Sequence, residues 1–207
     1  MRHVLVACLV VFAGAFCACT ATPREPLAAD DPIARPSPAF EDGVIRFMEK
    51  NRGVRIDAVT LSGGGQNGAY GVGLIQGWRE ISIPRFHVVT GVSTGALIAS
   101  HVFLDSAEAD ALMARFYTNV RRSDVLCLRN PLLGLTSDAF ASMAALENLI
   151  KEVVDDEVID QVAVASENGG RLLLVGTVNL DTGGYHIWDL GAMARARQYD
   201  KYRAVLR

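Results

Sequence analysis

Apolar and polar positions divide the chain into an uncharged N-terminal run, a proline-punctuated stretch, and a region where strand-like and helix-like patterns alternate. In that last region Phe40–Asn51 carries Val44, Ile45, Phe47 and Met48 at helical spacing, which predicts a short amphipathic helix. Residues 55–62 (RIDAVTLS) are β-branched and apolar and predict a strand. After a glycine cluster, Ala69–Ile81 predicts a helix with Tyr70, Leu74, Ile75 and Trp78 on one face. Residues 86–90 (FHVVT) predict a second strand, 91–95 a tight turn, and 96–104 and 107–120 two helices. Residues 126–135 read as irregular. Residues 137–153 predict a helix capped by Ser137 or Asp138, and 156–166 a further one. Residues 171–179 (RLLLVGTVN) predict a strand, with 185–189 as its hairpin partner or a following strand. Residues 191–199 read as helix and 201–207 as a further helix or turn. Strands alternating with helices predict an α/β layered fold with a largely parallel sheet.

The N-terminal pattern is different. Arg2 precedes an uncharged run from Val4 to Cys19, shorter than the roughly twenty residues of a membrane span. A basic start, a short apolar run and small residues after it describe a secretory signal over residues 1–18. Phe16-Cys17-Ala18-Cys19 resembles a bacterial lipobox, with Cys19 as the lipidated residue. The alternative is an ordinary signal peptide with incidental cysteines. Residues 19–39 hold five of the seven prolines and read as a stiff spacer, or as a disordered leftover. The expectation is an exported lipoprotein anchored to a membrane of the bacterial cell envelope, with its domain over residues 40–207.

Composition narrows the chemistry. Of 207 residues, 50% are hydrophobic and 21% charged, so the chain can bury a core. A net charge of −3 gives no basic footprint for nucleic acid. Four cysteines make no disulfide scaffold, and four histidines show no metal-ligand spacing.

Two glycine motifs carry the chemistry. Gly91-Val92-Ser93-Thr94-Gly95 is G-x-S-x-G, directly after a predicted strand and before a predicted helix, as a nucleophile elbow requires. The helix N-terminus behind Ser93 puts partial positive charge where an oxyanion forms. Its bland alternative is a glycine-rich turn with a surface serine. Gly63-Gly64-Gly65-Gln66-Asn67-Gly68 also follows a strand and offers backbone N–H groups in a concave loop. Gly63, Gly65 and Gly68 satisfy G-x-G-x-x-G, but no acid ends the next strand to bind a ribose. A phosphate-binding P-loop needs a lysine that is not there. Asp181 and His186 suggest a Ser–His–Asp triad, but their spacing is short and His186 fits a strand surface better. His87 and His101 read as core or surface fillers, Cys127 as a buried small hydrophobe, and Trp78 and Trp188 as packing residues.

Together the motifs resemble the patatin-like phospholipase family, whose serine lies in G-x-S-x-G and whose oxyanion hole is an upstream G-G-G-x-[K/R]-G loop. The resemblance spans about Asp57 to Arg207 and is strongest in residues 61–65 and 89–95; residues 179–183 (NLDTG) also look like a stretch these proteins carry. It implies a three-layer α/β/α fold with a largely parallel central sheet. It implies Ser93 as nucleophile, with an oxyanion hole from Gly63, Gly64, Gly65, Gly68 and Thr94 and an elbow flanked by Gly91 and Gly95. It also implies an acyl-lipid or phospholipid ester substrate, and chemistry that needs neither metal nor organic cofactor. Asn67 stands where the family has Lys or Arg.

The family activates its serine with an aspartate in a D-G-G or D-G-A motif late in the domain. No such motif follows Ser93, and neither Asp42-Gly43-Val44 nor Asp181-Thr182-Gly183 matches. Residues 199–207 (YDKYRAVLR) resemble the segment leading to that motif. The expectation is therefore a fold incomplete at its C-terminus, with the aspartate beyond Arg207. The rival expectation is a non-catalytic membrane-anchored lipoprotein of the same fold that binds lipid or a partner. A nucleotide-binding α/β protein rests on the glycine loop alone.

Overall fold

The computed structural model describes residues 39–81, 85–119, 127–128, 141–142, 144–167, 170–180 and 183–207. Its central sheet has the strand order β1 (Ala58–Leu61), β2 (Val88–Val92), β5 (Leu172–Val178) and β6 (Tyr185–Asp189). β1 pairs with β2 and β2 with β5 in parallel, and β6 closes the row antiparallel to β5 as a hairpin. A separate two-residue ladder joins β3 (Cys127–Leu128) to β4 (Ala141–Ser142).

The helices are α1 (Ala39–Lys50), α2 (Gly68–Glu80), α3 (Thr94–Leu104), α4 (Ala107–Asn119), α5 (Ala144–Val153), α6 (Asp156–Ala165), α7 (Leu190–Arg195) and α8 (Tyr199–Leu206). The register puts Val59, Val89, Leu173, Val175 and Trp188 on one sheet face, and all five are buried. α3 lies on this face and is buried on all sides, between the sheet and α2, α4 and α6. An apolar surface all round is what such a helix requires. Each fully buried aliphatic or aromatic side chain there, such as Leu173 or Phe103, contributes about 1.5–3 kcal/mol. α1 packs on the opposite face over β5 and β6, with Gly43 against the Asp189 carboxylate and Leu172. The architecture is thus mixed α/β with a mostly parallel sheet flanked by helices.

Caps and ion pairs fix the helix ends. Asp155 Oδ1 accepts from Val158 N at 2.9 Å at the start of α6, and Asp189 Oδ1 accepts from Ala192 N at 2.8 Å at the start of α7. Arg79, in the last turn of α2, pairs with both Asp105 and Asp110 and ties α2 to the α3–α4 junction. None of the helices among the described residues is long and apolar enough to cross a membrane.

Several expectations need correction. α2 buries Gly68, Val72 and Ile75, while Tyr70 is 78% and Leu74 40% exposed. Glycines at 68 and 71 let that side of the helix approach α3, so the buried face is the one with the least side chain. In α1 the buried positions are Gly43 and Phe47, with Ile45 and Met48 exposed. Gly91 and Val92 complete β2 instead of forming a turn. Ala141–Ser142 is extended, so α5 begins at Ala144; pairing with Cys127–Leu128 overrides local helix preference there. The helical stretch after Gly191 breaks at Ala196–Gln198, where Arg197 has φ 54°.

Candidate active site

The two glycine motifs meet at the carboxyl ends of neighbouring strands. Leu61, the last residue of β1, pairs with Gly91 in β2, so Ser62 and Gly63 leave the sheet beside Val92 and Ser93. Ser93 stands between β2 and α3 with φ 55° and ψ −125°. A non-glycine residue in that region carries roughly 1–3 kcal/mol of strain, sustained only where the surroundings determine it. Strand, strained serine and helix in immediate succession are the geometry of a nucleophile elbow. The Ser93 side chain is exposed, and the N-terminus of α3 points its unsatisfied N–H groups and positive dipole end toward it.

The flanking glycines are required by contact with backbone. A Cβ on Gly91 would lie 2.5 Å from the Gly95 carbonyl oxygen. A Cβ on Gly95 would lie 2.2 Å from the Leu61 carbonyl oxygen and 2.8 Å from that of Ser62. The second contact binds the elbow directly to the start of the glycine loop. A Cβ on Gly63 would come 3.0 Å from Ser93 Cβ and 3.6 Å from Ser93 Oγ.

Within the loop, Gly64 has φ 150° and Gly65 φ 56°, conformations that L side chains rarely adopt. A 3₁₀ turn over Gly65–Asn67 follows, in which Asn67 N donates to Gly64 O at 3.1 Å. The Gly68 N–H is spent on the carbonyls of Gly65 and Gln66. Those of Gly63, Gly64 and Gly65 make no hydrogen bond among the described residues. The loop thus keeps unspent donors beside Ser93, and Gly68 contributes room: a Cβ there would lie 2.7 Å from both Thr94 Oγ1 and the Tyr117 ring. Asn67 packs its Cβ over Gly64.

The histidines stand away from Ser93. His186 sits opposite Thr177 on β6, two strand spacings or roughly 10 Å from the β2 line. His87 Nδ1 accepts from Asp57 N at 3.3 Å at the other end of β2. His101 is buried in α3, with Nε2 3.1 Å from the Val153 carbonyl, and burial pushes its pKa down to about 4. Trp188 is a core residue whose Nε1 donates to Thr177 Oγ1 at 2.7 Å. Among the described residues Ser93 Oγ makes no hydrogen bond to a carboxylate or imidazole, and no cluster of three His, Cys, Asp or Glu could hold a metal. Asp181, Ser137, Asp138, Cys19 and the residues before Ala39 lie outside the described residues, as does the Cys127 side chain. Grooves between α4 and α5 (Leu112, Phe116, Leu149) and between α3 and α6 (Leu104, Gln161, Val164) are not lined by Ser93.

One contact at the site has no local signal in the sequence. The Tyr117 hydroxyl, from the last turn of α4, hydrogen-bonds Thr94 Oγ1 and donates to the Thr94 carbonyl at 3.4 Å. Burial raises the pKa of this phenol above its ordinary value.

An α/β sheet carrying an exposed serine on a strand-to-helix elbow, braced by a glycine loop from the adjacent strand, defines a class of serine-centred α/β proteins. The chain belongs to the patatin-like phospholipase family, whose model matches residues 59–181, from β1 through both glycine motifs and β5. That family is one of lipid acyl hydrolases. No curated protein and no solved structure gives a significant match to the chain.

Proposed function

We propose that the protein is a serine acyl hydrolase that cleaves ester bonds of phospholipids or other acyl lipids. The observation that carries this reading is the strained Ser93, exposed and backed by the N-terminus of α3, against a loop whose N–H groups are unspent. Ser93 Oγ attacks the ester carbonyl, giving a tetrahedral oxyanion. Its collapse breaks the ester C–O bond and expels the lipid alcohol, which takes the proton back from the base, and water hydrolyses the acyl-enzyme left behind. N–H groups of Gly64, Gly65 and Thr94 receive the oxyanion, and one such donor is worth about 10²–10³ in rate. The proton passes to an aspartate in the manner of the family's Ser–Asp dyad; this residue lies outside the described ones. Signal residues 1–18, lipidation at Cys19 and a spacer to residue 39 hold the domain of residues 40–207 at a membrane surface of the cell envelope.

The test is fluorophosphonate labelling of the full chain with peptide mapping, alongside hydrolysis of phosphatidylcholine vesicles. Label on the Ser93 peptide, with both signals lost in Ser93→Ala, is expected. Hydrolysis retained in Ser93→Ala refutes the assignment. Fractionation of cells expressing Cys19→Ala tests the anchor: the variant should leave the membrane fraction, and one that stays there contradicts lipidation at Cys19.

A further inference from the structure

Tyr117 belongs to neither glycine motif, yet it touches the ends of both. Its ring covers the Cα of Gly68, where the glycine loop enters α2, and its hydroxyl engages the side chain and the carbonyl of Thr94, the residue after the elbow serine. Phe116 packs edge-on to the ring, with centroids 5.1 Å apart, which fixes the direction from which it approaches. Thr94 is buried, so its hydroxyl has little access to water as an alternative partner. Three elements that are separate in sequence meet at this one side chain: the start of α2, the first turn of α3 and the last turn of α4.

We infer that Tyr117 is a positioning residue that sets the distance between the two halves of the oxyanion hole, the Gly64–Gly65 loop on one side and the Thr94 N–H on the other. The inference rests on the reading of Ser93 as nucleophile. Donors to an oxyanion act only when they lie within hydrogen-bond distance of where the charge develops. The loop reaches Ser93 through glycines in left-handed conformations, which do not fix its position by themselves. The phenol stays protonated throughout the neutral range, so the donation to the Thr94 carbonyl persists there.

Tyr117→Phe keeps the ring on Gly68 and removes both hydrogen bonds; Thr94→Val removes the side-chain bond from the other end, and Thr94→Ser keeps it. Steady-state hydrolysis and deuterium uptake by peptides covering residues 61–68 and 92–98 are measured in each, in the full chain. Tyr117→Phe and Thr94→Val should each lower kcat by about tenfold to a hundredfold at unchanged KM. The double variant should be no worse than the poorer single one, Thr94→Ser should be more active than Thr94→Val because it keeps the hydroxyl, and both peptides should exchange faster in Tyr117→Phe. Parental kcat and exchange in Tyr117→Phe overturn the inference, as does full additivity in the double variant. If Ser93→Ala hydrolyses as well as the parent, the reading of Ser93 as nucleophile falls instead. The exchange data then decide alone whether Tyr117 holds the two segments together.

Discussion

Gly95 offers the sharpest perturbation of the site, because the atoms it faces are backbone and cannot rotate away. In Gly95→Ala the new methyl would lie 2.2 Å from the Leu61 carbonyl oxygen, 2.6 Å from the Leu61 carbonyl carbon and 2.8 Å from the Ser62 oxygen. A carbon–oxygen contact is comfortable at about 3.3 Å, so the first turn of α3 must withdraw from the end of β1 by roughly 1 Å. That movement separates Thr94 and Ser93 from the glycine loop. A misplacement of about 1 Å at reacting groups costs on the order of 100-fold in rate. Overpacking also costs about 1–3 kcal/mol of stability. For a chain of this size that is a fall in melting temperature of roughly 2–12 °C. Gly77→Ala is the control: it lies within α2, and a Cβ there meets nothing within 4 Å. It should raise stability by roughly 0.5–1 kcal/mol and leave kcat alone. Vesicle hydrolysis and thermal melting followed by circular dichroism read both variants. A Gly95→Ala protein with parental activity and melting temperature refutes the reasoning, as does an equal loss in Gly77→Ala.

Ser93→Gly should relieve the strained backbone and raise stability by about 1 kcal/mol while abolishing hydrolysis; Ser93→Ala should abolish hydrolysis without that gain, and equal urea midpoints for the two would contradict it. His101, with its pKa pushed down to about 4 by burial, takes up a proton less readily folded than unfolded. Its contribution is therefore complete above about pH 6.5 and is lost as the pH falls toward 4, about 3 kcal/mol in all. Buried Asp189, whose pKa is raised, contributes with the opposite sign and reduces the net slope. His101→Gln keeps an N–H for the Val153 carbonyl and should flatten urea stability between pH 4 and 6.5; an unchanged slope in that variant means another group sets it. Arg79→Met leaves Asp105 and Asp110 without their shared partner and should cost about 1–3 kcal/mol in urea unfolding. An unchanged midpoint there argues against the pairing.

The elements around the site were legible because their signals are local. A β-branched run ending in glycines, followed by an apolar run, specifies strand, turn and helix within about twenty residues, and β1, β2 and α3 follow that order. Helix faces were less legible, because counting apolar side chains misses a face built from their absence. In α2, Tyr70 and Leu74 look like core positions, yet the core side carries Gly68, Gly71, Val72 and Ile75, where close approach of α3 replaces side-chain bulk. Start and stop signals failed where a distant strand intervened, as Cys127–Leu128 does for Ala141–Ser142. The reason for Gly68 was also out of reach: its neighbour Tyr117 is separated by a strand and two helices, and no spacing links them.

These contacts give the site an uneven rigidity. Ser93 stands between two heavily packed elements. β2 is paired on both sides, and α3 behind it buries Ala96, Ile98, Ala99, Val102 and Phe103. At about 0.8 kcal/mol per buried methylene, that burial readily offsets the roughly 1–3 kcal/mol of strain at the serine. The glycine loop is exposed and follows a strand only four residues long, at one end of the sheet formed by the described residues. Its shape comes from two left-handed glycines; Gly95 packs against its start, and the Tyr117 ring packs against Gly68 at its end. On the proposed reading, a nucleophile seated between β2 and α3 and an oxyanion loop built mostly of glycines account for a tie supplied by a third element. α3 is already packed on every side, and the loop consists mostly of residues with no side chain to offer. Only a neighbour such as α4 could supply a group that reaches both.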